Sequence, residues 1–155
     1  IQQLNLASSH VEELRSKMNE LASTLPEYAT VMGMYGVGKT FGPQLIAEIG
    51  DISNFSHREA LTAFAGVDPG VDQSGTHNSK SNKASKCGSN RLRKTLFQIM
   101  STLLQTAPED DKVYQFLVKK RAEGKPYYVY MTAGANKFLR IYYGKVKECI
   151  RNLEQ

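Results

Sequence analysis

A heptad stripe near the start of the chain is the feature that most constrains its fold. Apolar residues recur there at alternating steps of three and four positions: Leu4, Ala7, Val11, Leu14, Met18, Leu21 and Leu25. This spacing places them on one side of a helix about three heptads long, and such a stripe packs against another helix. Pro26 follows directly and ends the helix. We therefore predict a coiled-coil or helical arm over residues 1–27.

A second stripe with nearly the same spacing lies near the end of the chain. Its members are Tyr128, Met131, Ala135, Phe138, Tyr142, Val146, Cys149 and Leu153. The two long helices either pair with each other or form seams between chains, and the sequence leaves both arrangements open. Because both stripes lie near the chain ends, where one small core covers them incompletely, we expect a homo-oligomer.

Between the two stripes, the local signals are those of shorter helices. Ser89 or Asn90 begins one helix, and the acidic residues 109–111 begin another that Lys119, Lys120 and Arg121 close. No run of alternating polar and apolar residues indicates a strand. For a chain of 155 residues these signals predict an all-α domain over residues 28–155. Cys87 and Cys149 are far apart, without a CxxC or a nearby His pair, so we expect no metal site in this chain.

A polar loop is predicted at about residues 70–90, and positive charge is concentrated there and just beyond. The net formal charge of the chain is +5, and the segment from Ser74 to Lys94 contains no acidic residue. Its six basic residues are Lys80, Lys83, Lys86, Arg91, Arg93 and Lys94. The last three fall in about the first turn of a predicted helix, where cations interact unfavourably with the helix dipole. A polyanion bound at the same helix end would reverse that free-energy cost. This pattern favours the phosphate backbone of a nucleic acid, and a solvated basic face remains the alternative.

Three tyrosines extend this interpretation without deciding it. Tyr127, Tyr128 and Tyr130 follow Lys125, and rings at such positions either stack on bases or pack in a core or an interface. A membrane is not an expected partner, since no apolar run approaches the ~18 residues of a membrane-spanning helix.

The glycine-rich segment Gly33–Thr40 has two interpretations. It matches the P-loop pattern, in which Lys39 and backbone amides would hold the phosphates of a nucleotide. That motif needs a preceding strand and an α/β chain, and only "EYATVM" offers a short candidate strand. The alternative is a helix-hairpin-helix over about residues 28–50, in which Gly36 and Gly38 flank the turn and Lys39 adds charge beside a bound phosphate. Gly42 would then be the small residue at the helix contact.

The order of several motifs resembles the C-terminal domain of one transposase family. The segments are "EIGDISNF", "AFAGVDPGVDQSG", "GSNRLRK" and "GKP", which follow the glycine hairpin in this order between about Val31 and Gly144. They resemble the DEDD-type, RNA-guided insertion-sequence transposases, a family that includes the pilin-gene invertase Piv. The chain begins at Ile1 rather than Met. We therefore expect it to be a piece of a longer protein. The resemblance implies that the longer protein has an N-terminal RNase-H-like catalytic domain, which is absent from this chain.

The resemblance implies roles that the residues alone do not. It implies that the serine of "QSG", Ser74, is a nucleophile in DNA strand cleavage and exchange. Composition does not distinguish Ser74 from its neighbours Ser79, Ser81 and Ser85. The resemblance further implies Mg²⁺ for the full-length protein and none in this fragment. It also implies DNA and a guide RNA as partners, and a location at the nucleoid in the cytoplasm of a bacterium or archaeon. The alternatives are a non-catalytic module for nucleic-acid binding and oligomerisation and, on the P-loop interpretation, an ATPase.

Overall fold

The computed structural model describes residues 2–68, 73–74, 77–78, 84 and 87–155, with the backbone alone at residues 73–74 and 77–78. The helices are α1 (Gln2–Ser23), α2 (Tyr28–Met32), α3 (Phe41–Ile49), α4 (Arg58–Ala65), α5 (Asn90–Thr106), α6 (Lys112–Ala122) and α7 (Tyr127–Leu153). A turn of 3-10 helix covers Ile52–Asn54. The all-α prediction is confirmed. It missed two short strands, β1 (Gln73–Ser74) and β2 (His77–Asn78), which pair antiparallel.

Helix α7 lies at the centre of the molecule and packs against α2, α4, α5 and α6. The middle of its apolar stripe is fully buried, at Met131, Ala135, Phe138, Tyr142 and Val146. The expectation that this stripe forms a seam between chains is therefore wrong for its middle, because helices of the same chain already cover it. Its outermost members, Tyr128 and Leu153, remain exposed.

Helix α1 behaves in the opposite way. Its stripe faces solvent, with Leu14 66% and Leu21 71% exposed, and Ala22 is the buried residue of the helix. Within the described residues, the last turns of α1 contact α2 and α3, and Tyr28 donates a hydrogen bond to Asn19 Oδ1 at 2.8 Å. Of the two arrangements left open by the sequence, pairing of α1 along α7 does not occur in this structure.

Predicted caps fix the starts of α5 and α6. The Ser89 hydroxyl accepts a hydrogen bond from the Leu92 amide at 3.1 Å, and Asp111 accepts from the amides of Val113 and Tyr114. At the other end of α6, Lys119, Lys120 and Arg121 lie in the last turn, as the charge pattern predicts. No helix among the described residues has both the length and the apolar character needed to cross a membrane.

Candidate nucleic-acid interface

The Gly33–Thr40 segment joins two helices. The residues before it form α2, where a P-loop requires a strand, and α3 begins at Phe41. The P-loop interpretation is therefore wrong, since the strand that aims such a loop at a nucleotide is replaced by a helix. What remains is a helical hairpin whose Lys39 side chain is exposed just before α3. Its assignment as a helix-hairpin-helix stays a prediction.

Gly36 and Gly38 have different roles in this hairpin. Gly36 has φ +78°, and a Cβ placed on it would lie 2.8 Å from the Ile99 carbonyl oxygen and 2.9 Å from Leu103 Cβ. Gly36 therefore lets the turn pack directly onto α5. Gly38 is exposed, and no other group lies within 4 Å of the position that a Cβ would take on it. Of the two, Gly38 is the more exposed, although its carbonyl oxygen already accepts from the Gly42 amide at 2.8 Å.

Replacing these two glycines with alanine separates the roles. We expect Gly36→Ala to lower the free energy of unfolding by about 2 kcal/mol, because it combines a left-handed backbone with a clash against α5. Gly38→Ala is the matched control, with an expected change within about 0.5 kcal/mol. Urea denaturation followed by circular dichroism measures both. Equal losses of stability would show that the packing of Gly36 onto α5 is not what requires glycine.

The three cations predicted at the start of α5 do not act alike. Arg91 and Lys94 are exposed, whereas Arg93 is half-buried. Arg93 Nη1 donates to the Ala65 carbonyl oxygen at 3.1 Å, and Nη2 donates to Asn90 Oδ1. The Ala65 carbonyl ends α4 and has no partner within its own helix, so Arg93 satisfies it. Arg93 therefore holds α4 and α5 together, and Arg91 and Lys94 are the cations available to an anion.

The described residues on either side of the Ser74 segment are both fixed to the helical core. Before that segment, the carbonyl oxygen of buried Val67 accepts from Asn136 Nδ2 on α7 at 3.3 Å. After it, the Ser89 amide donates to the Phe64 carbonyl oxygen at 2.7 Å. Val67 is thus fixed to α7 and Ser89 to the end of α4, and Ser89 directly precedes the helix that carries the exposed cations Arg91 and Lys94.

Several predicted site residues lie wholly or partly outside the described part of the chain. The Ser74 backbone lies in β1, with its Cα paired to that of His77. The Ser74 side chain, and the whole of Lys80, Lys83 and Lys86, lie outside the described residues. Their roles stay predictions.

An aromatic pocket adjoins the start of α5, and the sequence indicated only part of it. The pocket has a volume of about 340 Å³ and is lined by Ala84, Asn90, Arg93, Lys94, Phe97, Tyr128 and Thr132. Of the three tyrosines left undecided by the sequence, Tyr130 is buried, whereas Tyr127 and Tyr128 are exposed. Phe97 was missed as a site residue. Its spacing three and four residues after Lys94 and Arg93, on the same helix face, was the available signal.

The described residues contain no cluster of three or more His, Cys, Asp or Glu side chains placed to hold a metal ion. The resemblance assigns Mg²⁺ to the N-terminal domain of the full-length protein, and the expectation of no metal in this chain stays a prediction. The clear pKa shifts lie away from the interface. Hydrogen bonds from Arg58 and from Lys120 lower the pKa of Glu59 and of Glu123, and burial raises that of the Tyr142 phenol.

Comparison with known proteins shows which family the chain belongs to. The pilin gene-inverting proteins of Moraxella bovis and Moraxella lacunata are each 26% identical to the chain over 145 residues. The alignment covers 91% of this chain and 44% of each relative, so the chain spans less than half the length of these curated proteins. Residues 28–115, more than half of the chain, match a family described as transposase IS116/IS110/IS902. They include the hairpin, α4, the Ser74 segment and α5, and the chain belongs to the transposase IS116/IS110/IS902 family.

Proposed function

We propose that the chain is the C-terminal domain of an insertion-sequence transposase or site-specific recombinase. In this proposal it binds DNA and supplies Ser74 as the nucleophile for strand cleavage and exchange. The observation that carries the proposal is the placement of the exposed cations Arg91 and Lys94 just after Ser89, the anchored residue that follows the Ser74 segment. The family match and the pilin gene-inverting relatives support a role in DNA rearrangement.

DNA is bound through its phosphates rather than its bases. Arg91 is the second residue of α5 and Lys94 the fifth, at and just after the first turn, where the helix dipole disfavours cations, and a bound phosphate offsets that cost. A second contact is assigned to Gly38 and Lys39, which are exposed before α3. Lys80, Lys83 and Lys86 add charge along the Ser74 segment. Gly36 and Arg93, which the sequence placed in this set, support it by packing.

The proposed chemistry at Ser74 is a transesterification. The Ser74 oxygen forms a bond to the scissile phosphorus while one phosphorus–oxygen bond to deoxyribose breaks. The serine proton is lost, and the departing sugar oxygen takes up a proton. The phosphate is left joined to the serine as a phosphodiester, so the DNA strand is not hydrolysed by water. Attack by a hydroxyl of a second strand reverses the step and joins the new ends. Nearby Lys and Arg side chains stabilise the charge that builds on the phosphate.

The remaining machinery is assigned to parts that this chain does not contain. We propose that the longer protein has an N-terminal RNase-H-like domain with a DEDD set of acidic residues, which accounts for the Mg²⁺ requirement. A guide RNA is a further proposed partner. We propose a homo-oligomer as well, formed through the exposed stripe of α1. The site of action is the nucleoid, in the cytoplasm of a bacterium or archaeon.

Salt dependence tests the DNA-binding part of the proposal. For a short duplex, the logarithm of the association constant should fall linearly with the logarithm of salt concentration, by about 0.9 per phosphate contact. We expect Arg91→Ala with Lys94→Ala to reduce that slope by about two contacts, measured by fluorescence anisotropy. The control is Lys145→Ala with Arg151→Ala, which removes the same charge near the far end of α7. If both pairs change the slope equally, the start of α5 is a solvated basic face.

A further inference from the structure

The pocket between the N-terminal halves of α5 and α7 has one aromatic side. The ring centroids of Phe97 on α5 and Tyr128 on α7 are 6.4 Å apart, with 39° between the ring planes. The Tyr127 ring packs edge-on against the Tyr128 ring, with the two ring centroids 5.3 Å apart. Phe97 is packed against the core, whereas Tyr128 is 73% exposed. The fold therefore leaves a positioned aromatic ring open to solvent, without using its burial for stability.

The rim of the same pocket is polar and positive. The Arg93 guanidinium is held by its bonds to Ala65 and Asn90. Because Asn90 Oδ1 accepts from Arg93, its amide nitrogen is the group left to donate. Lys94 forms no ion pair with any residue that the structure describes. Aromatic stacking area, an amide donor and an unpaired ammonium group within one pocket are what a nucleotide requires.

The size and position of the pocket fit a single nucleotide. A volume of about 340 Å³ is at the lower end for small-molecule sites. Ala84, from the segment that carries Ser74, forms part of the lining. A strand whose base occupies the pocket would therefore be held close to that segment.

We propose that this pocket binds one unpaired nucleotide of a nucleic-acid strand. Its base stacks on the exposed ring of Tyr128, with the tilted Phe97 ring beside it, and its phosphate pairs with Lys94. The proposal rests on the proposed function and deepens it: the Lys94 contact to the DNA backbone falls at this nucleotide, the other proposed phosphate contacts hold the flanking duplex, and the pocket selects a strand with an unstacked base. Such strands arise wherever paired strands are opened for exchange. The pocket recognises the flat face of the base, so it discriminates weakly among the four bases.

The test compares a short duplex that contains one bulged base with the same duplex fully paired. We expect the wild-type chain to bind the bulged duplex about tenfold more tightly in anisotropy titrations. A bulge made of 2-aminopurine should also change its fluorescence on binding, because the base stacks on Tyr128. Placing the bulge in a DNA strand and then in an RNA strand shows which of the two the pocket prefers.

Three variants decide the outcome. Tyr128→Ala should abolish the preference for the bulge and leave binding of the paired duplex unchanged, whereas Tyr128→Phe should keep the preference. Tyr127→Ala removes an exposed ring that does not line the pocket, and this variant should keep most of the preference for the bulged duplex. A Tyr128→Ala chain that still prefers the bulge overturns the proposal, as does a wild-type chain that binds both duplexes equally. If neither duplex is bound in a salt-dependent way, the DNA-binding function fails as well.

Discussion

Ser74→Ala in the full-length protein is expected to abolish DNA strand cleavage and exchange, with a loss of at least about a thousandfold in rate. The hydroxyl is the group that bonds to phosphorus, and tight binding of DNA cannot replace a missing nucleophile. Assembly on DNA should be unchanged, because Ser74 lies in a strand of only two residues and a single hydroxyl contributes at most one weak contact to DNA. Recombination assays on a plasmid substrate measure the rate, and anisotropy measures the binding.

Neighbouring serines supply the matched controls for this variant. Ser79→Ala and Ser81→Ala lie in the same polar segment and should leave the rate nearly unchanged. The isolated chain should show no difference between Ser74→Ala and wild type in stability or in DNA affinity. A full-length Ser74→Ala protein that recombines DNA near the wild-type rate would leave this chain as a module for binding and oligomerisation.

Leu14→Lys combined with Leu21→Lys is expected to raise the dissociation constant of the oligomer at least about a hundredfold. Both side chains are largely exposed in the single chain, so the fold does not need them. In a coiled coil they occupy the buried seam, where each introduced ammonium group loses its hydration. Light scattering over a range of concentrations measures the association, and circular dichroism checks that the helices are retained.

The opposite face of α1 gives the control for the seam. Ser9→Lys with Ser16→Lys adds the same charge to the helix at positions away from the apolar stripe, and should leave association unchanged. A wild-type chain that is monomeric at tens of micromolar would contradict the proposed assembly. Equal dissociation by both pairs of lysines would indicate repulsion by net charge rather than a specific seam.

Local signals in the sequence predicted local structure correctly. Ser89, one of the two expected starts, caps α5, and Asp111, the last of the expected acidic residues, caps α6, since a cap depends on residues within one turn. Gly42 likewise lies where α2 and α3 touch, against Met32 and Val37. The strand considered at "EYATVM" was wrong, because an apolar segment of this length has no decisive period.

The remaining differences depend on contacts between distant parts of the chain. A heptad stripe shows that a helix face will be covered but does not name its partner, and so the stripe of α7 turned out to be buried within the chain. Arg93 appeared equivalent to Arg91 because its bond to Ala65 spans 28 positions. The pocket formed by Phe97 and Tyr128 likewise requires α5 and α7 to meet. Ser74 is a separate case: its assignment comes from the family resemblance, and its chemistry is still a prediction.

The most direct test of the central claim identifies the residue that becomes joined to DNA. The full-length protein is incubated with a substrate that carries a nick next to the cleavage site, so that the strand cannot be rejoined, and is then denatured and digested. We predict that mass spectrometry finds a nucleotide phosphate on the tryptic peptide that contains Ser74, and that this adduct is absent from Ser74→Ala. A covalent adduct on any other residue, or strand cleavage that releases both DNA ends without an adduct, would contradict the account.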